Sequence, residues 1–559
     1  MRKWFAIPIV LILVLITLFS GCGSNTSTTA APQTTTSQPT TSASTTTTSA
    51  PGTTTSTPTT TASQPVKPAA PTGTINGAVA SFGYDTFDPS LVTNWGALLY
   101  QFMFRLTQDI NFEGDVLKSY DISADGNTWT FHLVPNNKFT NGDPVTAADV
   151  KFSIERFAQS KRSPWSPYLR DTYNFVSMKI VDDLTLQYVT AHPESTLLAV
   201  FSSVAILNKA EIDKVGEEAY FKKPVASGPW KLVEYASNDH VKFEVNTGYC
   251  RPNEVPQFQF YNELNVPELA TRISMFKTGQ IDYLYLDDYA RMKELQNSGY
   301  PVQKFGINGT DSFAYQWSWL PEAGPVHNIN IRKAMSLALN RQEICDTWYS
   351  GYAIPGGRFF MPTGIFGWSA GLAPEQYDPA MAKKLILEAG YPNTFANPVI
   401  TIFCDAAAQD RILYYMSYWQ AVGLQVKLVV QELATYYSYL GFGPPPSDNK
   451  GWIWFWKSSS YPNSVYHSAN MYTSKGVHKT TNDPTADQLY ALITTQKDYA
   501  TAWQKMEEFQ IYCKSLYTNV GVVEFENRFV YSPKTFGAFN GRNWDISIYA
   551  VLQGGTHAK

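Results

Sequence analysis

The sequence predicts an α/β protein built from more than one lobe, with a ligand crevice at the ends of its strands. Three observations predict this. The folded part begins near Gly73 and runs almost to the end of a 559-residue chain. That is too long for one hydrophobic core, so two to four domains are expected. Strand and helix signals alternate along it, and where a strand–helix–strand unit can be read, its length implies a parallel pair with a right-handed crossover. No repeat of roughly 20–50 residues is visible, which argues against a solenoid or propeller. Open α/β sheets bind ligands outside their strand ends.

The N-terminus comes first. Arg2-Lys3 precedes a continuous apolar run, Trp4 to Phe19, and then Ser20-Gly21-Cys22. A basic start, an apolar stretch and small residues before a cut site make a secretory signal. A cysteine directly after the small pair resembles a bacterial lipobox, with Phe19 where the pattern usually has Leu. Residues 1–22 are thus expected to be a lipoprotein signal peptide. Cys22 would be lipidated and hold the protein to the cell membrane, outside the cytoplasm. A plain transmembrane anchor is the alternative, although the run is short of the ~20 apolar residues a span needs.

Residues 23–72 read as a tether. From Ser24 to Thr72 the chain is almost all Thr, Ser, Ala, Pro and Gln, and its only charge is Lys67. Such a stretch buries nothing that offsets its ordering entropy. The composition also suits an O-glycosylated stalk. As a flexible coil its reach is roughly 40 Å.

The body is rich in aromatics, and the whole chain has 15 Trp, 34 Tyr and 32 Phe. Its formal charge is only -4, with no basic block, so no nucleic-acid partner is expected. Cys250, Cys345, Cys404 and Cys513 are scattered and form no CxxC pair, which argues against zinc. One or two disulfides and buried free thiols both remain open.

Local punctuation is clear. After the Asp125-Gly126 turn, Trp129, Phe131 and Leu133 alternate with Thr128, Thr130 and His132, the period of a half-buried strand. Asn141-Gly142 makes another turn. Thr146 and Asp149 then open a helix with Val150, Ile154 and Phe157 on its apolar face. Further on, Asp378 caps a helix with Pro379 at its first position and Met381, Leu385 and Ala389 on one face. Gly390 and Pro392 end it. Pro398 to Cys404 is β-rich, Ile412 to Val422 reads as a helix stopped by Gly423, and Leu424, Val426, Leu428 and Val430 alternate as a strand.

These segments carry a resemblance. Ser123 to Leu133, continuing through Lys138-Phe139-Thr140-Asn141-Gly142-Asp143-Pro144-Val145-Thr146-Ala147-Ala148-Asp149-Val150 to Phe152-Ser153 and Arg156, resembles a hallmark of the family 5 solute-binding proteins. These are the dipeptide, oligopeptide and nickel receptors of ABC importers. Asn141 replaces the usual acidic residue. Further matches follow in family order: Phe87-Asp88-Pro89, Val181 to Leu186, Val225 to Leu232, Arg272 with Gly279 to Asp282, Ile331 to Ala334 with Ala338 to Arg341, and Tyr377 to Pro392.

The resemblance implies a periplasmic-binding-protein-like type II fold: two α/β lobes, a hinge, and an extra domain inserted in the first lobe. It places lobe I at 73–106, 223–312 and 522–559, the inserted domain at 107–222, and lobe II at 313–521. Hinge strands would cross near Asp311 and Val522. It further implies a monomer that closes over a small-molecule or peptide ligand, delivers it to the permease subunits of an ABC importer, and uses no cofactor.

Candidate ligand residues follow. In Gly451-Trp452-Ile453-Trp454-Phe455-Trp456, alternation sends the three Trp to one strand face and Ile453 and Phe455 to the other. Either the strand is packed on both faces, or its end, Trp456 through Tyr461, enters the cleft. Trp456 to Pro462 resembles the family's "W..DyPdP" segment, whose aspartate can pair with a peptide's terminal ammonium. Ser460 stands there, with Lys457 nearby. A serine does not supply that charge, which favours sugars, other polar solutes or anions. Trp317 and Trp319, just past the first hinge crossing, suit either core packing or stacking on a flat ligand. Asp85, Thr86, Phe87 and Ser227 are further cleft candidates, whereas Gly228 serves its own backbone turn.

Catalytic patterns are missing. There is no G-x-S-x-G elbow, no H-E-x-x-H, no P-loop and no dinucleotide fingerprint. Asp182-Asp183 and Asp287-Asp288 read as solvated turns, and no enzymatic activity is expected. No two histidines lie at i,i+4, so no metal site is expected. His327 and His467 are the two that a nickel- or haem-carrying relative would bring toward the cleft.

Overall fold

The computed structural model describes residues 70–558 except 84, 92–94, 107–111, 161–165, 167–168, 170–174, 195, 306–308, 358–360, 433–434, 437–450, 459–463, 477, 540–551 and 553. The signal peptide with Cys22, nearly all of the tether, and Ser460 and Tyr461 lie outside the described residues.

Four sheets carry the architecture. In the first, β1 (Thr74–Val79) runs parallel to β10 (Phe260–Asn265), and β9 (His240–Val245) and β8 (Trp230–Ala236) follow antiparallel. Between β1 and β8 the chain builds a separate antiparallel sheet. Its order is β4 (Leu117–Ile122), β5 (Thr128–Leu133), β7 (Thr185–Thr190) and β6 (Phe175–Asp182). A short pair, β2 (Phe104–Leu106) with β3 (Phe112–Gly114), precedes it. The third sheet sets β19 (Arg528–Tyr531) between β11 (Tyr283–Tyr285) and β12 (Val302–Lys304). The fourth has six strands: β14 (Ala353–Pro355), β18 (Asn519–Phe525), β13 (Gly309–Tyr315), β17 (Ile453–Ser458), β15 (Ile400–Asp405) and β16 (Val426–Gln431). A last pair, β20 (Phe536–Phe539) and β21 (Gly555–His557), lies near the C-terminus.

The mixed α/β class is what the sequence predicts. In β5, Trp129, Phe131 and Leu133 are buried while Thr128, Thr130 and His132 are half-buried. Parallel pairing of β15 with β16 sets Ile400 against Val426, and the helix Gln409–Ala421 joins them. Parallel strands need such a crossover because no tight turn reverses the chain. Ile453 and Phe455 enter the main core, while Trp454 packs on the other face with Phe403 and Tyr436.

Local chemistry fixes the helix starts. The helix Ala147–Gln159 opens on Thr146. Asp149 accepts the Thr146 N–H at 2.9 Å and its hydroxyl at 2.7 Å, and its second oxygen accepts the Lys209 N–H at 3.0 Å. One buried carboxylate thus caps a helix and anchors the following segment. In the helix Pro379–Glu388, Asp378 accepts the Met381 N–H. The buried face there is Ala382, Leu385 and Ile386. Leu385 and Ala389 face the core as expected, but Met381 is 39% exposed, which corrects that member of the stripe: Ala382 is buried in its place. Cys345, Cys404 and Cys513 are buried and Cys250 is half-buried, and none of the four is in a disulfide. Burial pushes the Cys345 and Cys404 thiols up to about 12, so they stay protonated and inert.

Asp149→Ala is expected to lower stability by about 2 kcal/mol, through the lost cap and the orphaned Lys209 N–H. In urea denaturation the midpoint should fall with the slope unchanged.

Candidate functional site

The site is built where β13 and β17 lie side by side. Register sets Asp311 opposite Lys457 and Ser312 opposite Trp456. Every residue of β13 is buried, so its polar members need internal partners.

Asp311 is fully buried, and Arg411, from the first turn of the helix Gln409–Ala421, lies 3.2 Å away with 11% of its side chain exposed. Tyr415 donates its hydroxyl to Asp311 at 2.9 Å, and Tyr349 donates to the same oxygen. Arg411 Nη1 donates to the Tyr349 hydroxyl at 3.3 Å, and its guanidinium lies 5.0 Å above the Phe455 ring. Burial alone would lower the Arg411 pKa; the Asp311 carboxylate together with the Tyr349 and Tyr415 hydroxyls outweighs it and raises the value.

Lys457 reaches the other way. Its ammonium lies 2.7 Å from Asp287, in the segment after β11, and 5.2 Å from the Phe525 ring centre. Tyr285 donates to the other Asp287 oxygen at 3.0 Å. Burial pushes the Asp287 pKa up, but pairing with Lys457 pulls it further down, so it stays ionised. This pair ties the six-stranded sheet to the three-stranded one. Asp287 is thus an exposed bend, as expected, but one whose carboxylate is paired. Asp288 is a cap: it accepts the Arg291 N–H at 2.9 Å and opens the helix Tyr289–Asn297.

Trp456 is half-buried and packs against two hydrophobic clusters. Its ring meets His478 edge-on at 5.7 Å. Trp317 and Trp319 lie beyond the Ile453 end of β17, the end opposite Lys457. β13 has ended there, and Trp317 takes a left-handed turn conformation, φ +60°. The two indoles pack on each other at 5.0 Å, with the Lys479 ammonium 5.5 and 5.7 Å from their centres. Trp456 connects to them through the adjacent residues His478 and Lys479.

Of the remaining candidates, only Phe87 belongs to the first sheet's core. Phe87 is 2% exposed and packs on Trp95 and Tyr235. Asp85 is exposed and accepts the Tyr235 hydroxyl at 2.7 Å, and Thr86 accepts the Asp88 N–H. Ser227 is fully buried with no partner for its hydroxyl. Gly228 is required by close approach: a Cβ there would lie 2.5 Å from the Leu99 carbonyl oxygen.

Sequence reading missed Asp287, Arg411, Tyr349 and Tyr415. No local signal marks them, since their partners lie far away in sequence. Chemically the arrangement holds charges in matched pairs. Among the described residues no group of three or more His, Cys, Asp or Glu is placed to hold a metal ion, and no helix is long and apolar enough to cross a membrane.

Comparison with known proteins agrees with this architecture. Residues 111–473 match the model for bacterial extracellular solute-binding proteins, family 5, middle region. The chain belongs to that family, whose members are extracytoplasmic receptors of ABC importers. It is 28% identical over 378 residues to the glutathione-binding protein GsiB of Pectobacterium atrosepticum, covering 65% of this chain and 71% of that one. Its match to GsiB of Escherichia coli K12 is 25% over 337 residues, covering 60% and 64%. The chain thus spans roughly two thirds of those relatives. Among solved structures, DppA of Helicobacter pylori in complex with the peptide STSA has a TM-score of 0.71 at 20% identity, covering 88% of this chain and 99% of that one. NikA of Brucella suis in complex with Fe(III)-EDTA has 0.75 at 19%, covering 87% and 100%. These neighbours share the type II periplasmic-binding fold.

Removing one partner of the Asp311–Arg411 pair leaves an uncompensated buried charge. Arg411→Ala is expected to cost roughly 3–5 kcal/mol, measured by chemical denaturation. Adding Asp311→Asn should recover part of it.

Proposed function

We propose that this family 5 protein is a lipid-anchored, monomeric receptor that binds an anionic or otherwise polar solute between two lobes and delivers it to an ABC importer without chemistry. The lobes are those the resemblance implies: 73–106, 223–312 and 522–559 for the first, with 107–222 inserted, and 313–521 for the second. One observation carries the reading. Lys457 and Asp287, from the two lobes so drawn, meet directly at 2.7 Å. A solute carboxylate entering there competes with Asp287 for Lys457, and Trp456 offers a flat apolar wall beside it. Ser460 in place of the family's aspartate disfavours a terminal ammonium. The GsiB relatives are named for glutathione, a tripeptide with more carboxylates than ammonium groups, and that makes glutathione the first probe.

A second reading, a metal-chelate carrier, has one observation in its favour. His467 and His478 are half-buried and close enough to interact. Burial lowers the first to about 3, with His478 contributing, and the second to about 4. Neutral imidazoles are competent metal ligands. His327 is committed elsewhere, at 3.1 Å from the Ser318 carbonyl oxygen. Metal analysis of protein purified without a tag decides between the readings.

Mass spectrometry of small molecules released from fresh protein should identify an anionic or polar solute. In calorimetry with that solute, Lys457→Met should weaken binding roughly tenfold, about 1.4 kcal/mol. Asp287→Asn, which frees Lys457, should strengthen it. Equal affinity in both variants would remove Lys457 from the site. Cys22→Ser should block lipid attachment and leave unprocessed precursor, read by mass spectrometry of the N-terminus.

A further inference from the structure

A second buried charge lies away from that site. Glu194 follows β7 in the sequence His192-Pro193-Glu194, and its side chain is 0% exposed. Neither carboxylate oxygen accepts a hydrogen bond. The nearest charged-capable group is His192, whose Nδ1 lies 3.0 Å from Oε1 while the ring is 36% exposed.

The loop is covered by another part of the molecule. The helix Pro484–Thr494 brings Tyr490 within reach of Glu194, and the helix Tyr499–Ser515 meets the neighbouring Phe112 through Tyr499. Tyr490, on the first helix, has a buried hydroxyl with no partner, and the Glu194 carboxylate acts on this phenol and on that of Tyr188 from β7. A Cβ on Gly126 would lie 3.0 Å from Pro193 and 3.4 Å from the Lys497 side chain. The Lys497 ammonium donates to the Ala124 carbonyl at 3.4 Å. Phe112 meets Tyr499 edge-on at 6.4 Å.

We propose that this junction is a proton-coupled clasp: the sheet β4–β5–β7–β6 closes on the helices 484–494 and 499–515 only with Glu194 protonated, so closing takes up a proton. The physical reason is solvation. A buried carboxylate that makes no hydrogen bond and has only His192 close to it is costly, whereas the neutral acid is tolerated and its hydroxyl can donate to the facing phenol. Burial pushes Glu194 up to about 9 from an ordinary 4.5. A raised value means the closed form binds the extra proton. Closing is therefore most favourable below the ordinary value and weakens by up to tenfold per pH unit as the medium becomes more alkaline, until the raised value is passed. His192 is the facing group that opposes this, since its imidazolium supports an ionised Glu194; the tenfold slope is the upper bound. Tyr188 and Tyr490 remain neutral across the window. The clasp requires no solute and stands whether or not the solute reading holds.

The test uses the full chain without ligand. Fluorescence energy transfer between labels at Lys179→Cys, on exposed β6, and Leu492→Cys, on the facing helix, reads the closed-to-open ratio in a Cys250→Ser background. Between about pH 6 and about pH 9 the ratio should fall by several-fold to tenfold per unit, and in Glu194→Gln it should be flat. Difference infrared spectra of the native chain supply a second reading that does not depend on how the variant packs. A protonated-carboxyl C=O band should be present at neutral pH and vanish on alkaline titration. A ratio that does not change with pH, an unchanged slope in Glu194→Gln, or a missing carboxyl band would each overturn the clasp.

Discussion

The six-stranded sheet depends on one buried carboxylate. Asp311 sits on β13, the strand with β17 on one side and β18 on the other, and has no exposure to water. A lone charge there would cost several kcal/mol. Arg411, Tyr349 and Tyr415 remove that cost, and in doing so they fix three elements against the strand. The helix Gln409–Ala421 is oriented through Arg411 and Tyr415. The segment before β14 is held through Tyr349, whose ring also stacks on Phe525 of β18. Phe455 of β17 carries the guanidinium on its face.

Next to this closed network stands an open one. Asp311 and Lys457 are opposed in register but pair with different partners: Asp311 inward to Arg411, Lys457 outward to Asp287. The difference follows from exposure. The Lys457 side chain retains 28% of its surface and that of Asp287 56%, so solvent screens this pair and makes it exchangeable. A receptor needs both kinds of contact, one that holds the frame and one that a solute can replace.

Much was legible because it is local. The turn at Asp125-Gly126, the strand Thr128–Leu133, the start of the helix at Thr146, and the parallel β15–β16 pair with its crossover helix all follow from neighbouring residues. Of the expected stripe only Met381 turned outward, because a short helix with its apolar residues spread around it has no sharp period. The candidate site was legible only at Trp456 and Lys457, where an unusual run drew attention. Asp287 looked like one half of a bare acidic pair, and Arg411 like any charged residue near a helix start.

The sequence by itself determined the α/β class, the order of its elements and the family, since periodicity, caps and turns act over a few residues and the motifs keep their order. Tertiary structure alone decided which charges meet. Asp287 and Lys457 are separated by most of a domain in the chain and by 2.7 Å in space. It also decided which charges stay dry. Nothing in His192-Pro193-Glu194 distinguishes a solvated loop from a buried acid; the covering helices do, because desolvation is a property of the surroundings and not of the residue.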